Sequence, residues 1–166
     1  MKYAIIFFIL SLLVLSSSIF IYSSENDEEI EKPLNNAIAS YFYGEKISPS
    51  DRIGDDDIFV SNDKIIINVR NAKSTKFADT NSMDPFLDKG SNGIEILPKS
   101  PEDIKIGDII SYKSEKYDAV IIHRVIKIKK DNSGLYYLTK GDNNQKPDDE
   151  KIRFNNVKGV LVGVIY

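Results

Sequence analysis

The sequence predicts a mainly β protein: an antiparallel β domain behind a single N-terminal transmembrane helix. Three observations carry this reading. Short β-branched runs recur from Ile58 to Tyr166, each bounded by polar or glycine-containing loops, the pattern of an antiparallel sheet or barrel. The run from Ala4 to Tyr22 carries no charge and is close to the roughly 20 residues that cross a hydrocarbon core as a helix. The apolar C-terminal stretch Val157–Tyr166 is about half that length and is interrupted by Gly159 and Gly163, so it reads as a strand and not a second span.

Taken in order, the first element is 1–24, the anchor. Lys2 is the only charged side chain before Glu25, and Glu25, Asp27, Glu28, Glu29 and Glu31 follow as an acidic block. That asymmetry favours a cytoplasmic N-terminus in the cell membrane, with the remaining domain facing outward. A cleaved secretory signal is the competing reading, since Ser16-Ser17-Ser18 and Ser23-Ser24 offer small residues. The apolar stretch runs on through Ile19-Phe20-Ile21-Tyr22, beyond the about 7 to 15 residues of a signal core, so length favours an uncleaved anchor. Either way the main domain lies outside the cytoplasm.

Residues 25–77 read as an acidic linker and accessory segment. Leu34–Tyr43 is expected to form a short helix, and Ser48–Ile53 a turn that starts another helical step. Ile58-Phe59-Val60 and Lys64–Val69 are strands joined by the hairpin loop Ser61-Asn62-Asp63. From 78 to 166 strands dominate: Gly93–Pro98 and Asp108–Tyr112 alternate, and Ala119–Ile128 pairs with Leu135–Thr139 across Lys130–Gly134. The chain then closes on Val157–Tyr166.

Composition removes several functions. There is no cysteine, so disulfides, thiolate nucleophiles and cysteine-bound zinc are excluded. A single histidine argues against a histidine-based metal site, and no cofactor is implied. Lys+Arg of 22 against Asp+Glu of 25 gives a net charge of −3, which lacks the concentrated positive charge of a nucleic-acid binder.

That histidine, His123, sits in Val120-Ile121-Ile122-His123-Arg124-Val125. It is the one side chain whose unperturbed pKa lies near neutrality, and so the obvious general base. Alone, it reads more readily as a packed strand residue. Two further strings matter: Thr80-Asn81-Ser82-Met83-Asp84-Pro85, and Thr139-Lys140-Gly141-Asp142-Asn143-Asn144 running on to Pro147-Asp148. They supply a hydroxyl nucleophile and orienting carboxylates. Each has a plain structural reading as well. Ser82 fits an ordinary loop, Gly141–Asn144 is good turn chemistry, and Asp148-Asp149-Glu150 fits a solvated charge run.

Together, the three strings resemble type I signal peptidases of the archaeal and endoplasmic-reticulum kind. The matching residues are Ser82-Met83-Asp84-Pro85, His123-Arg124-Val125 and Lys140-Gly141-Asp142-Asn143-Asn144 with Pro147-Asp148. The bacterial branch carries lysine where this chain has His123. The resemblance covers 78–166 and, by analogy, the anchor; residues 25–77 have no clear counterpart. It implies a signal-peptidase-like β catalytic domain in which Ser82 attacks the scissile carbonyl and His123 takes its proton. Asp148 best fits the completing aspartate. Asp142 is the second family aspartate, orienting the histidine or holding the loop. The Ser82 backbone N–H and the Thr80 hydroxyl would bind the oxyanion.

The chain departs from the family pattern at Asn81, where glycine or serine is common. It departs again at Gly90-Ser91-Asn92-Gly93, where a Gly-Asp pair usually opens the next strand. The implied function is a membrane-anchored serine endopeptidase cleaving signal peptides from exported preproteins. Its partners are preprotein substrates, membrane lipid and subunits of a membrane complex. The alternative is a catalytically inactive anchored β-domain that binds exported proteins or such a complex.

Overall fold

A computed structural model describes residues 46–166. The expected anchor and the Leu34–Tyr43 helix lie outside the described residues. Among the described residues no helix is long and apolar enough to cross a membrane.

The fold is mainly β and antiparallel, as expected. Its strands are β1 (Ile58–Val60), β2 (Ile65–Ile67), β3 (Ala72–Lys76), β4 (Asn92–Ile96), β5 (Ile109–Lys113), β6 (Val120–Asp131), β7 (Gly134–Lys140) and β8 (Val157–Ile165). β1 and β2 form a separate hairpin, and the other six make one sheet in the order β3-β4-β8-β5-β6-β7. The hairpin exposes all six of its apolar strand residues. The expected helical step at Ser48–Ile53 is absent: the segment is extended coil, and the only helical turn near it is the 3-10 turn Asp55–Asp57. Its backbone is held instead by Asp108, whose buried carboxylate accepts from Ser50 N at 2.9 Å and pairs with Arg52 at 2.6 Å.

The sheet also begins before residue 78. β3 pairs with β4 from Ala72↔Ile96 to Lys76↔Asn92. Its sequence Ala72-Lys73-Ser74-Thr75-Lys76 has no apolar alternation because the strand is an exposed edge that packs almost nothing.

Strand alternation divides the core into two clusters on opposite faces. One joins Ile110, Tyr112, Val125, Tyr137, Ile152 and Val160. The other joins Met83, Leu87, Ile109 and Leu161. Met83 and Leu87 bring the Ser82 turn down onto β5 and β8.

Candidate active site

Ser82 opens a turn that runs to Phe86. Buried Met83 anchors it, and the N–H groups of Phe86 and Leu87 donate to the Met83 carbonyl at 3.0 and 3.1 Å. Asn81, just before Ser82, has φ +56°. Glycine enters that left-handed region freely, and asparagine does so more readily than other residues. The departure at Asn81 is therefore compatible with the bend.

A second loop clamps the first. Asn143 N donates to Ser82 O at 3.0 Å, and Asn143 Nδ2 donates to Asn81 O at 2.9 Å. The loops approach so closely at Gly141 that a Cβ there would lie 2.5 Å from Ser82 O. Asp142 N points at Met83 Sδ, 3.3 Å away.

His123 and Arg124 are adjacent on β6, so they face opposite sides of the strand. They take different aspartates. His123, with 8% side-chain exposure, places Nδ1 2.7 Å from Asp148 Oδ2. An ionised carboxylate only accepts, so Nδ1 carries a proton, and in the neutral ring Nε2 keeps its lone pair. Arg124 forms a two-point pair with Asp142, Nε to Oδ1 at 2.8 Å and Nη2 to Oδ2 at 2.6 Å. Lys46 Nζ adds a bond to the Asp142 carbonyl at 2.9 Å. Asp148 backs the imidazole, and Asp142 holds the loop.

Two residues not singled out from the sequence complete the Asp148 environment. Thr139 Oγ1 donates to Asp148 Oδ2 at 2.7 Å, and Tyr112 OH donates to the same oxygen at 3.1 Å. Asp148 N returns a bond to Thr139 O at 2.8 Å. Burial pushes the Asp148 carboxyl up, but the hydrogen bonds from His123 and Thr139 outweigh it and hold the group below its usual range. Asp142 behaves alike: burial raises it, and Arg124 more than offsets that. Burial also pushes the Tyr112 phenol up, so it remains a donor. Thr139 stood in the third string, as the hydroxyl residue closing the expected strand Leu135–Thr139. Tyr112 carried no signal.

Ser82, Thr80 and His123 line one cavity of about 740 Å³, with Met83, Leu87 and Ile122 as apolar walls. Ser82 Oγ lies 3.2 Å from Thr80 Oγ1. Among the described residues no hydrogen bond joins Ser82 to His123; the two share the cavity with Ser82 turned toward Thr80. A second cavity, of about 600 Å³, lies against Arg52, Pro85 and Asp142 and includes neither Ser82 nor His123. No cluster of three or more His, Asp or Glu positioned to hold a metal ion occurs among the described residues.

No protein-family model matches the chain. Among curated proteins it is similar to the signal peptidase complex catalytic subunit SEC11C of Homo sapiens, with 44% identity over 69 residues, 40% of this chain and 35% of that protein. It is also similar to the signal peptidase complex catalytic subunit SEC11 of Scheffersomyces stipitis, with 33% identity over 88 residues, 51% of this chain and 52% of the relative. Signal peptidase I W of Bacillus subtilis is 35% identical over 85 residues, 49% of this chain and 43% of the relative. The matches thus span from about a third to about half of the length of these relatives. These partial similarities support the signal peptidase family.

Proposed function

We propose that this chain is a membrane-anchored serine endopeptidase of the histidine-dependent signal peptidase kind, removing signal peptides from exported preproteins. The observation that carries the reading is His123, bonded through Nδ1 to Asp148, in the same cavity as Ser82. With Nδ1 committed, Nε2 is the nitrogen available to a nucleophile. The reacting state needs a Ser82 rotamer that turns Oγ from Thr80 toward Nε2. Catalytic hydrogen bonds often tighten only when substrate is bound.

In the proposed reaction Ser82 Oγ attacks the scissile carbonyl carbon as Nε2 takes its proton. The tetrahedral oxyanion is held by the Ser82 N–H and the Thr80 hydroxyl. Collapse breaks the C–N bond, and the imidazolium returns the proton to the leaving amine. Water, deprotonated by the same Nε2, then attacks the acyl carbon, and the imidazolium returns that proton to Ser82 Oγ as the ester C–O bond breaks. Asp148 stabilises the charged ring throughout, and Asp142 with Arg124 keeps the clamp on the Ser82 loop.

Substrate binding has a matching feature. From Val120 to His123, β6 pairs with β5 on one edge, while β7 pairs only from Arg124 onward. An extended peptide can add to that free edge beside the cavity. Tethering by the Ala4–Tyr22 run would raise the effective concentration of a bilayer-bound substrate.

The test is a fluorogenic peptide spanning a signal-peptide junction, incubated with full-length protein in detergent, with products identified by mass spectrometry. Cleavage at the junction by the wild type, and none by Ser82→Ala, is the expected result. Binding without turnover by folded wild type would favour the inactive binding domain.

A further inference from the structure

The strand register lays a polar lane across the sheet on the cavity side. Lys73 on β3 is paired with Glu95 on β4, and Ser111 on β5 is paired with Gly159 on β8 and Ile122 on β6. Glu95 is 0% exposed, between Ile94 and Ile96. Its Oε2 accepts from Ser111 Oγ at 3.0 Å and meets Lys73 Nζ at 2.9 Å. To reach Ser111 the carboxylate passes over β8 at Gly159. A Cβ there would lie 2.5 Å from Glu95 Oε2 and 3.0 Å from Lys73 Cε. Only glycine leaves the lane open, and the Lys73 stem roofs it.

Glu95 Oε1 is buried and has no hydrogen-bond partner among the described residues. An unpaired buried carboxylate oxygen is costly, and apolar side chains commonly replace buried ion pairs without loss of stability. Folding therefore gives no account of a glutamate at this strand position. Its location does: Lys73, Glu95 and Ser111 line the cavity that holds Ser82 and His123. Lys76 and Lys158 line it too, so lysines outnumber the one carboxylate in the lining and a cationic guest is disfavoured. A small neutral hydrogen-bond donor fits both the charge and the narrow lane.

We infer that Glu95 and Ser111 form a polar subsite that takes the hydroxyl of a serine or threonine of the cleaved segment, with Glu95 Oε1 as acceptor. The inference rests on the endopeptidase reading above. Entry requires the Lys73 side chain, 44% exposed, to swing aside, a motion that exposed side chains make in picoseconds to nanoseconds. Glu95 is here a specificity-determining residue and has no part in bond breaking.

The experiment uses full-length protein in detergent and a junction peptide. Each of the residues flanking the scissile bond is set in turn to Ala, Ser, Val, Thr or Lys. At one position wild type should prefer Ser over Ala, and Thr over its isostere Val, by about tenfold in kcat/KM, the scale of one hydrogen bond to a charged group. Glu95→Met removes the acceptor at similar volume. It should abolish that preference while leaving the Ala peptide cleaved at a rate close to wild type. Gly159→Ala, which closes the lane, serves as the second variant should Glu95→Met not fold, and should lose the same preference. No hydroxyl preference in wild type, its persistence in Glu95→Met, or a preference for Lys overturns the inference. The same panel is read as binding to Ser82→Ala by fluorescence anisotropy. A hydroxyl preference in binding without cleavage by wild type would remove the endopeptidase reading and keep the subsite. Neither binding nor cleavage removes both.

Discussion

Asp148 Oδ2 lies 2.7 Å from His123 Nδ1, while Asp142, in the same loop, is paired with Arg124. The two aspartates divide their work because His123 and Arg124 are consecutive strand residues and face opposite ways. That division makes the first two predictions opposite in kind.

Asp148→Asn should leave the fold intact and lower kcat by about 10³ to 10⁴, because the ring loses its charge partner and its fixed tautomer. Circular dichroism paired with peptide kinetics checks this. Loss of structure, or an unchanged kcat, would contradict it.

Asp142→Asn should act on stability instead. It breaks a nearly buried ion pair, a change that typically costs about 3 kcal/mol or more, and the urea midpoint should fall accordingly. The pH dependence follows from the sign. The Asp142 carboxyl is held below its usual range in the folded state, so its stabilisation is present above about pH 4 and lost as pH falls through the folded value. Urea melts from pH 6 to pH 3 should therefore show a shallower acid loss in Asp142→Asn than in wild type.

Thr139→Val tests the support behind Asp148. Removing the 2.7 Å donor lets the Asp148 carboxyl rise toward the ordinary range, since that bond is one of the forces lowering it. The low-pH limb of the kcat profile on which Asp148 itself takes a proton should move to higher pH, with a stability loss of about 1 kcal/mol. A purely structural role would shift stability and leave the limb in place.

Gly141→Ala presses a methyl group against Ser82 O. It should displace the nucleophile loop and lower kcat on the order of tenfold to a hundredfold, because small misplacements of reacting groups are expensive. Chemical shifts of Ser82 and Asn143 amides report the displacement.

Much of this was legible in the sequence. Apolar or alternating runs mark β1, β2 and β4 to β8, because each of those strands either covers the core or, as in the hairpin, is itself apolar. β3 was illegible for the opposite reason: an exposed edge needs no apolar face. Ser48–Ile53 carries turn chemistry, but its contacts are tertiary, with Asp108 reaching it from far along the chain. Ser82, His123, Asp142 and Asp148 were all visible as residue types. Which aspartate meets the imidazole depends on the facing of β6 relative to a loop, and no spacing in the string encodes that. Glu95 reads in sequence as the polar member of an alternating strand, whereas the fold turns it inward.

Ser82 and His123 are proposed to act as nucleophile and base on a preprotein junction. Single-turnover cleavage of a purified preprotein by wild type, Ser82→Ala and His123→Ala in detergent tests these roles most directly. Wild type should cleave at the junction, and each variant should lose on the order of 10⁴ or more in rate, with all three equally folded. Undiminished cleavage by either variant would contradict the proposal.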